Sequence, residues 1–126
     1  MNRTELKEYI QNNYGTDPDY PWMKYPSYEV FRHAGNRKWF AVIMDVPRNK
    51  LGLQGEEILG IVNFKCEPYL LNSLLGEEGF FLAYHMNKTN WITVALDGSV
   101  SDEQIKMLLD MSFDATAPKI RKKDNF

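Results

Sequence analysis

The chain has 126 residues, 44% of them hydrophobic and 13% aromatic, with 15 Lys+Arg against 17 Asp+Glu and one cysteine. That composition excludes a disordered chain, which could not build such a core, and a disulfide framework, since Cys66 has no partner. No apolar run approaches the ~20 residues that a membrane helix needs, so no membrane partner is expected.

The first predicted element is a helix over residues 3–14, because Leu6, Tyr9, Ile10 and Tyr14 recur at helical spacing on one face. Thr4 is the expected cap and Gly15 the stop. A proline-rich stretch over 15–27 carries Tyr20, Trp22 and Tyr25 and reads as an ordered loop pinned by its rings. The period then changes to two. Tyr28 to His33 reads as a strand, Gly35-Asn36 as a tight turn of positive φ, and Lys38 to Val46 as the return strand. Strict alternation puts Phe40, Val42 and Met44 on one face of that strand and Trp39, Ala41 and Ile43 on the other. Both faces are apolar, so the strand is expected to be central and covered on both sides.

After a glycine-bearing loop over 47–57, Ile58 to Lys65 forms the third strand. Ile58, Val62 and Phe64 make its apolar face, with Asn63 and Lys65 opposite. Pro68 opens a short helix to about Leu75. Gly79 to Tyr84 is ambiguous but extended, and residues 85–90 form a polar connection. Trp91 to Asp97 is the clearest strand, with Ile92, Val94 and Leu96 facing the core. Ser101 to Gln104 fits a capping box for the last helix, which carries Ile105, Leu108, Leu109 and Ser112 on one face and ends before Pro118. The expected fold class is therefore α+β: an antiparallel sheet of four to five strands with helices packed against it, in the order α-β-β-β-α-β(β)-α.

One domain is expected over residues 1–118, followed by a basic tail over 119–126. In that tail Lys119, Arg121, Lys122 and Lys123 stand against Asp124, a net of +3, which leaves −5 on the first 118 residues. An acidic body does not suit non-specific phosphate binding. The N-terminus has no apolar stretch of the signal-peptide kind, so a cytoplasmic location is the default expectation.

No catalytic constellation emerges. His33, Cys66 and His85 lack metal-ligand spacing, so no metal and no cofactor is expected. Cys66 reads as a small buried thiol. The serines lack a nucleophile elbow, and the pairs Glu56-Glu57 and Glu77-Glu78 read as solvated. Gly52-Leu53-Gln54-Gly55 resembles no phosphate loop. The chain is expected to be a binding module and not an enzyme. Arg32, Arg37 and Lys38 cluster at the first hairpin, Lys88 lies in the polar connection, and the tail adds Lys119 and Arg121. These could grip phosphates, and Asn87 or Asn90 could reach base edges. The alternative is solvated turn cations, with a protein or small ligand meeting the aromatic loop at Tyr20, Trp22 and Tyr25 instead. Within the polar connection the alternative makes Asn87 and Asn90 turn formers, pairs Lys88 with an acid such as Asp97, and makes Trp91 a core anchor whose truncation costs ~3–5 kcal/mol.

The stretch His85-Met86-Asn87-Lys88-Thr89-Asn90-Trp91, followed by a strand and Asp97-Gly98, resembles the signature of the MmcQ/YjbR family. Trp39-Phe40-Ala41 is similar to that family's second strand, and Asn63-Phe64-Lys65-Cys66-Glu67-Pro68 to its strand-to-helix junction. Ser112-Phe113 through Lys119 is similar to its last helix and lysine-bearing tail. The resemblance implies a fold like that of CyaY, the bacterial frataxin homologue, and a DNA-binding role through β-hairpin wings. Carried onto this chain, it implies contacts by Arg32, Arg37 and Lys38 on the first hairpin and by His85, Asn87, Lys88 and Trp91 on the signature segment. Metal binding on the first helix would need an acidic ridge, for which Glu5 and Glu8 are too few.

Overall fold

Helices and strands follow one another in the expected order in the computed structural model, which describes residues 1–119. Arg121 and most of the basic tail lie outside the described residues. Helix α1 spans Arg3–Tyr14, strand β1 Glu29–Arg32, β2 Trp39–Pro47, β3 Ile58–Lys65, helix α2 Pro68–Leu74, β4 Phe80–Leu82, β5 Trp91–Ala95 and helix α3 Asp102–Thr116. A single 3₁₀ turn at Arg48–Leu51 follows β2. All neighbouring strands are antiparallel, in the order β1-β2-β3-β5-β4.

The helices cover one face of the sheet. Leu6 and Ile10 of α1 and Ile105, Leu108 and Leu109 of α3 are fully or nearly fully buried against Phe31, Phe40, Ile43 and Phe64. Ser112, on the same stripe of α3, donates to the carbonyl of Phe40 and accepts from the amide of Lys65, tying the helix to two strands. His33 is buried beside Phe40 and Phe113, with Nε2 2.9 Å from both the Phe113 carbonyl and Thr116 Oγ1. Cys66 is buried, and desolvation pushes its thiol up, away from the reactive thiolate.

Several local expectations change. The α1 cap is Asn2, not Thr4: its side chain accepts from Glu5 N, and Glu5 reaches back to Asn2 N. Residues 33–38 link β1 to β2, and the left-handed residue there is Arg37 (φ 64°), not Gly35 or Asn36. Asn36 instead accepts from Lys38 N and donates to the Thr116 carbonyl. Asn63 is fully buried, bonded to Thr93 and to the Tyr84 carbonyl, whereas Ile58 is 65% exposed.

The most consequential change is in β2. Phe31 pairs with Ala41 but Arg32 pairs with Trp39, so Phe40 is an extra residue opposite one step of β1. A bulge of this kind breaks the two-residue period. Phe40, Ala41 and Ile43 consequently all pack under the helices, while Trp39 joins Val42 and Met44 on the opposite face.

Among the described residues no α-helix packs on that opposite face; loops and the 3₁₀ turn bring Trp22, Leu51, Leu53, Tyr84 and Met86 onto Val30, Val42, Met44 and Ile61. The 15–27 loop is anchored through Asp19, whose backbone exchanges two hydrogen bonds with Val30 at the free edge of β1. An edge strand covered in this way is protected from pairing with another chain.

Candidate functional site

The loop-covered face holds an aromatic cavity of about 470 Å³. The loop before β1 supplies Trp22 and Tyr25, with Tyr28 at the entrance to the strand. Strand β2 supplies Trp39, Val42 and Met44. The connection after β4 supplies His85, Met86 and Asn87, and Trp91 closes the site at the start of β5. All three tryptophans of the chain line this one cavity. Among the described residues no lysine, arginine or carboxylate does.

The rings form fixed walls. Trp22 meets Trp39 at 88° and Tyr28 at 81°, with centroids 5.5 and 5.9 Å apart. Tyr25 stacks on Tyr28 at 4.7 Å and 10°. Burial raises the Tyr28 phenol, keeping it neutral. Edge-to-face and offset pairs of this kind add about 0.5–1.5 kcal/mol each beyond their buried area, so the walls hold one another in place. Tyr20 does not take part: its hydroxyl donates to Glu29 Oε2 at 2.7 Å.

The far wall is held by a buried polar triangle. Thr93 Oγ1 donates to Asn63 Oδ1 and accepts from Tyr84 N, and Asn63 Nδ2 donates to the Tyr84 carbonyl. Satisfied buried polar groups specify one arrangement strongly. The next residue, His85, takes φ 60°, a left-handed conformation unfavourable for a non-glycine residue, and its ring stands against Tyr84 at 4.0 Å and 84°. Asn87 Oδ1 accepts from Thr89 N and Asn90 N, an Asx turn that shapes the connection.

The expected phosphate-binding residues divide into three places. Arg32 and Arg37 converge on one carboxylate, with Arg32 Nε 2.7 Å and Arg37 Nη2 3.4 Å from Asp19 Oδ2, and Arg32 also lies over Trp39 at 5.3 Å. Lys38 is exposed at the hairpin turn. His85, Asn87 and Trp91 line the aromatic cavity. Lys88 donates to the Ala83 carbonyl at 2.9 Å and makes no pair with Asp97, which binds Ser99 instead. Lys119 is exposed, and Arg121 lies outside the described residues. Trp91 is half-buried, outside both core clusters, with the Lys65 ammonium 5.7 Å from its ring.

Sequence reasoning found Trp22, Tyr25, His85, Asn87 and Trp91, but in two competing hypotheses. It missed Tyr28, Met44 and Met86, whose spacing signals only burial, and it placed Trp39 on the wrong face. Among the described residues no three His, Cys, Asp or Glu side chains converge as a metal site, and no helix is long and apolar enough to cross a membrane.

Comparison with known proteins places the chain among relatives. The chain is 39% identical over 116 residues to the uncharacterized protein YyaQ of Bacillus subtilis (strain 168), covering 92% of this chain and 98% of that one. A crystal structure of a Pseudomonas syringae protein is 44% identical and superposes with a TM-score of 0.91, covering 93% of this chain and 100% of the other. A solution NMR structure from the same organism is 42% identical with a TM-score of 0.86, covering 96% and 97%. A Deinococcus radiodurans protein with the domain described as DUF419 is 20% identical with a TM-score of 0.72, covering 98% and 84%, a likeness of fold alone. The YjbR family model matches residues 11–115. With that match and the identities to YyaQ and the Pseudomonas protein, this chain belongs to the YjbR family.

Proposed function

We propose that the chain is a non-enzymatic binding domain whose ligand occupies the aromatic cavity. The observation that carries this reading is the convergence of Trp22, Trp39 and Trp91, from three separate segments, around one cavity of about 470 Å³. Small-molecule sites are concave, mostly apolar, and carry a few polar groups that set orientation; here those groups are His85 and Asn87. One imidazole with no carboxylate partner among the described residues supplies no nucleophile–base pair, which supports binding over catalysis.

Because every tryptophan lines the cavity, intrinsic emission reports directly on occupancy. Titration with phenylnaphthylamine, an uncharged aromatic fluorophore, should quench the tryptophans by energy transfer and saturate at one equivalent. Trp22→Ala should weaken this binding. Absence of saturable binding to the folded protein would refute the cavity as a ligand site.

A second reading, duplex DNA binding, is favoured by one contact. Asn36 holds the Thr116 carbonyl, and Gly35 lies so near Pro118 that a Cβ there would sit 3.1 Å from Pro118 Cγ. The hairpin turn with Arg37 and Lys38 therefore adjoins the chain leading to Lys119. Anisotropy of a labelled duplex at low and physiological salt tests it, with Lys38→Ala and a chain ending at Pro118. Affinity that falls with salt and falls again in both variants supports it; no binding at low salt removes duplex DNA as a partner.

A further inference from the structure

We infer that the ligand of the aromatic cavity is a small molecule with a flat aromatic body joined to an anionic group, the body lying among the tryptophans and the anion against Lys50 and Lys88. This rests on the cavity reading above and adds the ligand's chemistry to it.

A second cavity of about 510 Å³ adjoins the first, and His85 lines both. It is lined by Lys50 and Leu51 of the 3₁₀ turn, by Phe81 and Ala83 at the end of β4, and by Lys88. The strained His85 thus lines both an aromatic chamber and a basic one. Backbone strain of this sort persists where the surroundings over-determine it, and it concentrates at binding sites.

The charges favour an anion. Among the described residues no acidic side chain lines either cavity, although the first 118 residues carry −5 overall. The neighbouring cavity on the same sheet face differs, with Glu77, Glu78 and Asp97 in its lining. Neither Lys50 nor Lys88 has a carboxylate partner among the described residues. Lys88 uses one of its three donors on the Ala83 carbonyl, which fixes the ammonium and leaves two donors for a guest. A cationic guest is disfavoured, because Trp39 and Trp91 already face the Arg32 guanidinium and the Lys65 ammonium. Aromatic walls with basic groups at one end match a planar ring carrying a phosphate, carboxylate or sulfonate.

The test compares two probes with the same aromatic skeleton, phenylnaphthylamine and anilinonaphthalene sulfonate, which differ by the anionic group. Binding to the folded protein is read from energy transfer from tryptophan, and melting curves confirm that each variant is folded. Lys50→Gln and Lys88→Gln should each weaken the sulfonate probe about fivefold, Lys50→Gln should leave the uncharged probe unchanged, and added salt should weaken the sulfonate probe alone. Lys50 makes no described side-chain hydrogen bond, so its variant separates charge from any loosening of the connection that Lys88 holds. If the uncharged probe binds but the sulfonate probe ignores both lysines, the anionic half is overturned and the cavity reading survives. If neither probe binds, both fall.

Discussion

The indole of Trp22, carried on a loop without regular structure, meets the indole of Trp39 at the head of β2 edge to face, centroids 5.5 Å apart and planes at 88°. The contact ties the loop to the sheet and forms a wall of the aromatic cavity at once. Trp22→Ala should therefore lower stability by about 2 kcal/mol, from lost area and its two aromatic pairs with Trp39 and Tyr28, as well as weakening probe binding. Urea unfolding checks the first effect. Unchanged stability would mean that other contacts alone hold the loop.

Asp19 gathers two cations that a phosphate would otherwise compete for. Asp19→Asn should cost about 1 kcal/mol, the scale of a partly exposed ion pair, and release Arg32 and Arg37. If the hairpin contacts duplex DNA, this variant binds it more tightly than wild type at low salt. Equal anisotropy curves would place both arginines outside any such interface.

Glu29 gives a pH signature. It is 5% exposed, with Arg3 Nη2 at 2.8 Å, Lys7 Nζ at 3.0 Å and the Tyr20 hydroxyl at 2.7 Å. Burial alone would raise its carboxyl, but the hydrogen bonds from Arg3, Tyr20 and Lys7 outweigh burial and hold it below the ordinary carboxylate range. A carboxyl depressed in the folded state contributes stability above its unfolded value of about 4.3, and the contribution is lost as pH falls through the folded value. Glu29→Gln should cost about 3 kcal/mol at neutral pH, with the gap from wild type closing as pH falls below the ordinary carboxylate range and through the depressed folded value. A gap that persists undiminished in acid would assign the cost to packing.

The triangle of Asn63, Thr93 and the Tyr84 backbone carries the connection that lines both cavities. Thr93→Val keeps the shape but removes the hydroxyl that serves Asn63 and Tyr84 N, leaving two buried groups short of a partner. We expect a loss of about 2 kcal/mol and faster hydrogen exchange at the Tyr84 amide. Wild-type exchange there would show that the hydroxyl does not hold the segment.

Trp91 lines the cavity, half-buried and outside both core clusters. Its truncation to alanine should cost about 1–2 kcal/mol, below the ~3–5 of a fully buried anchor, and should weaken probe binding more than it lowers the melting temperature. A loss of the larger size with unchanged binding would return Trp91 to a purely structural role.

Much of the fold was legible because periodicity reports burial directly. Leu6 and Ile10, Ile105 and Leu109, and Ile92 and Val94 face the helix-covered core as their spacing requires, and that patterning points to an α+β chain with helices on one face of an antiparallel sheet whose first three strands form a meander. The family signature was equally legible, since it resides in a contiguous run from His85 to Trp91. The site was not, for two physical reasons. One extra residue at Phe40 inverts the facing of everything before it in β2, and a period of two cannot announce where it slips; only pairing with β1 decides that Trp39 joins Met44. The cavity, moreover, is assembled from the 22–28 loop, β2 and the 85–91 connection. Which loops fold back over the open face of a sheet depends on long-range anchors such as Asp19 on Val30 and Asn63 on Tyr84, and these exist only once the strands are side by side.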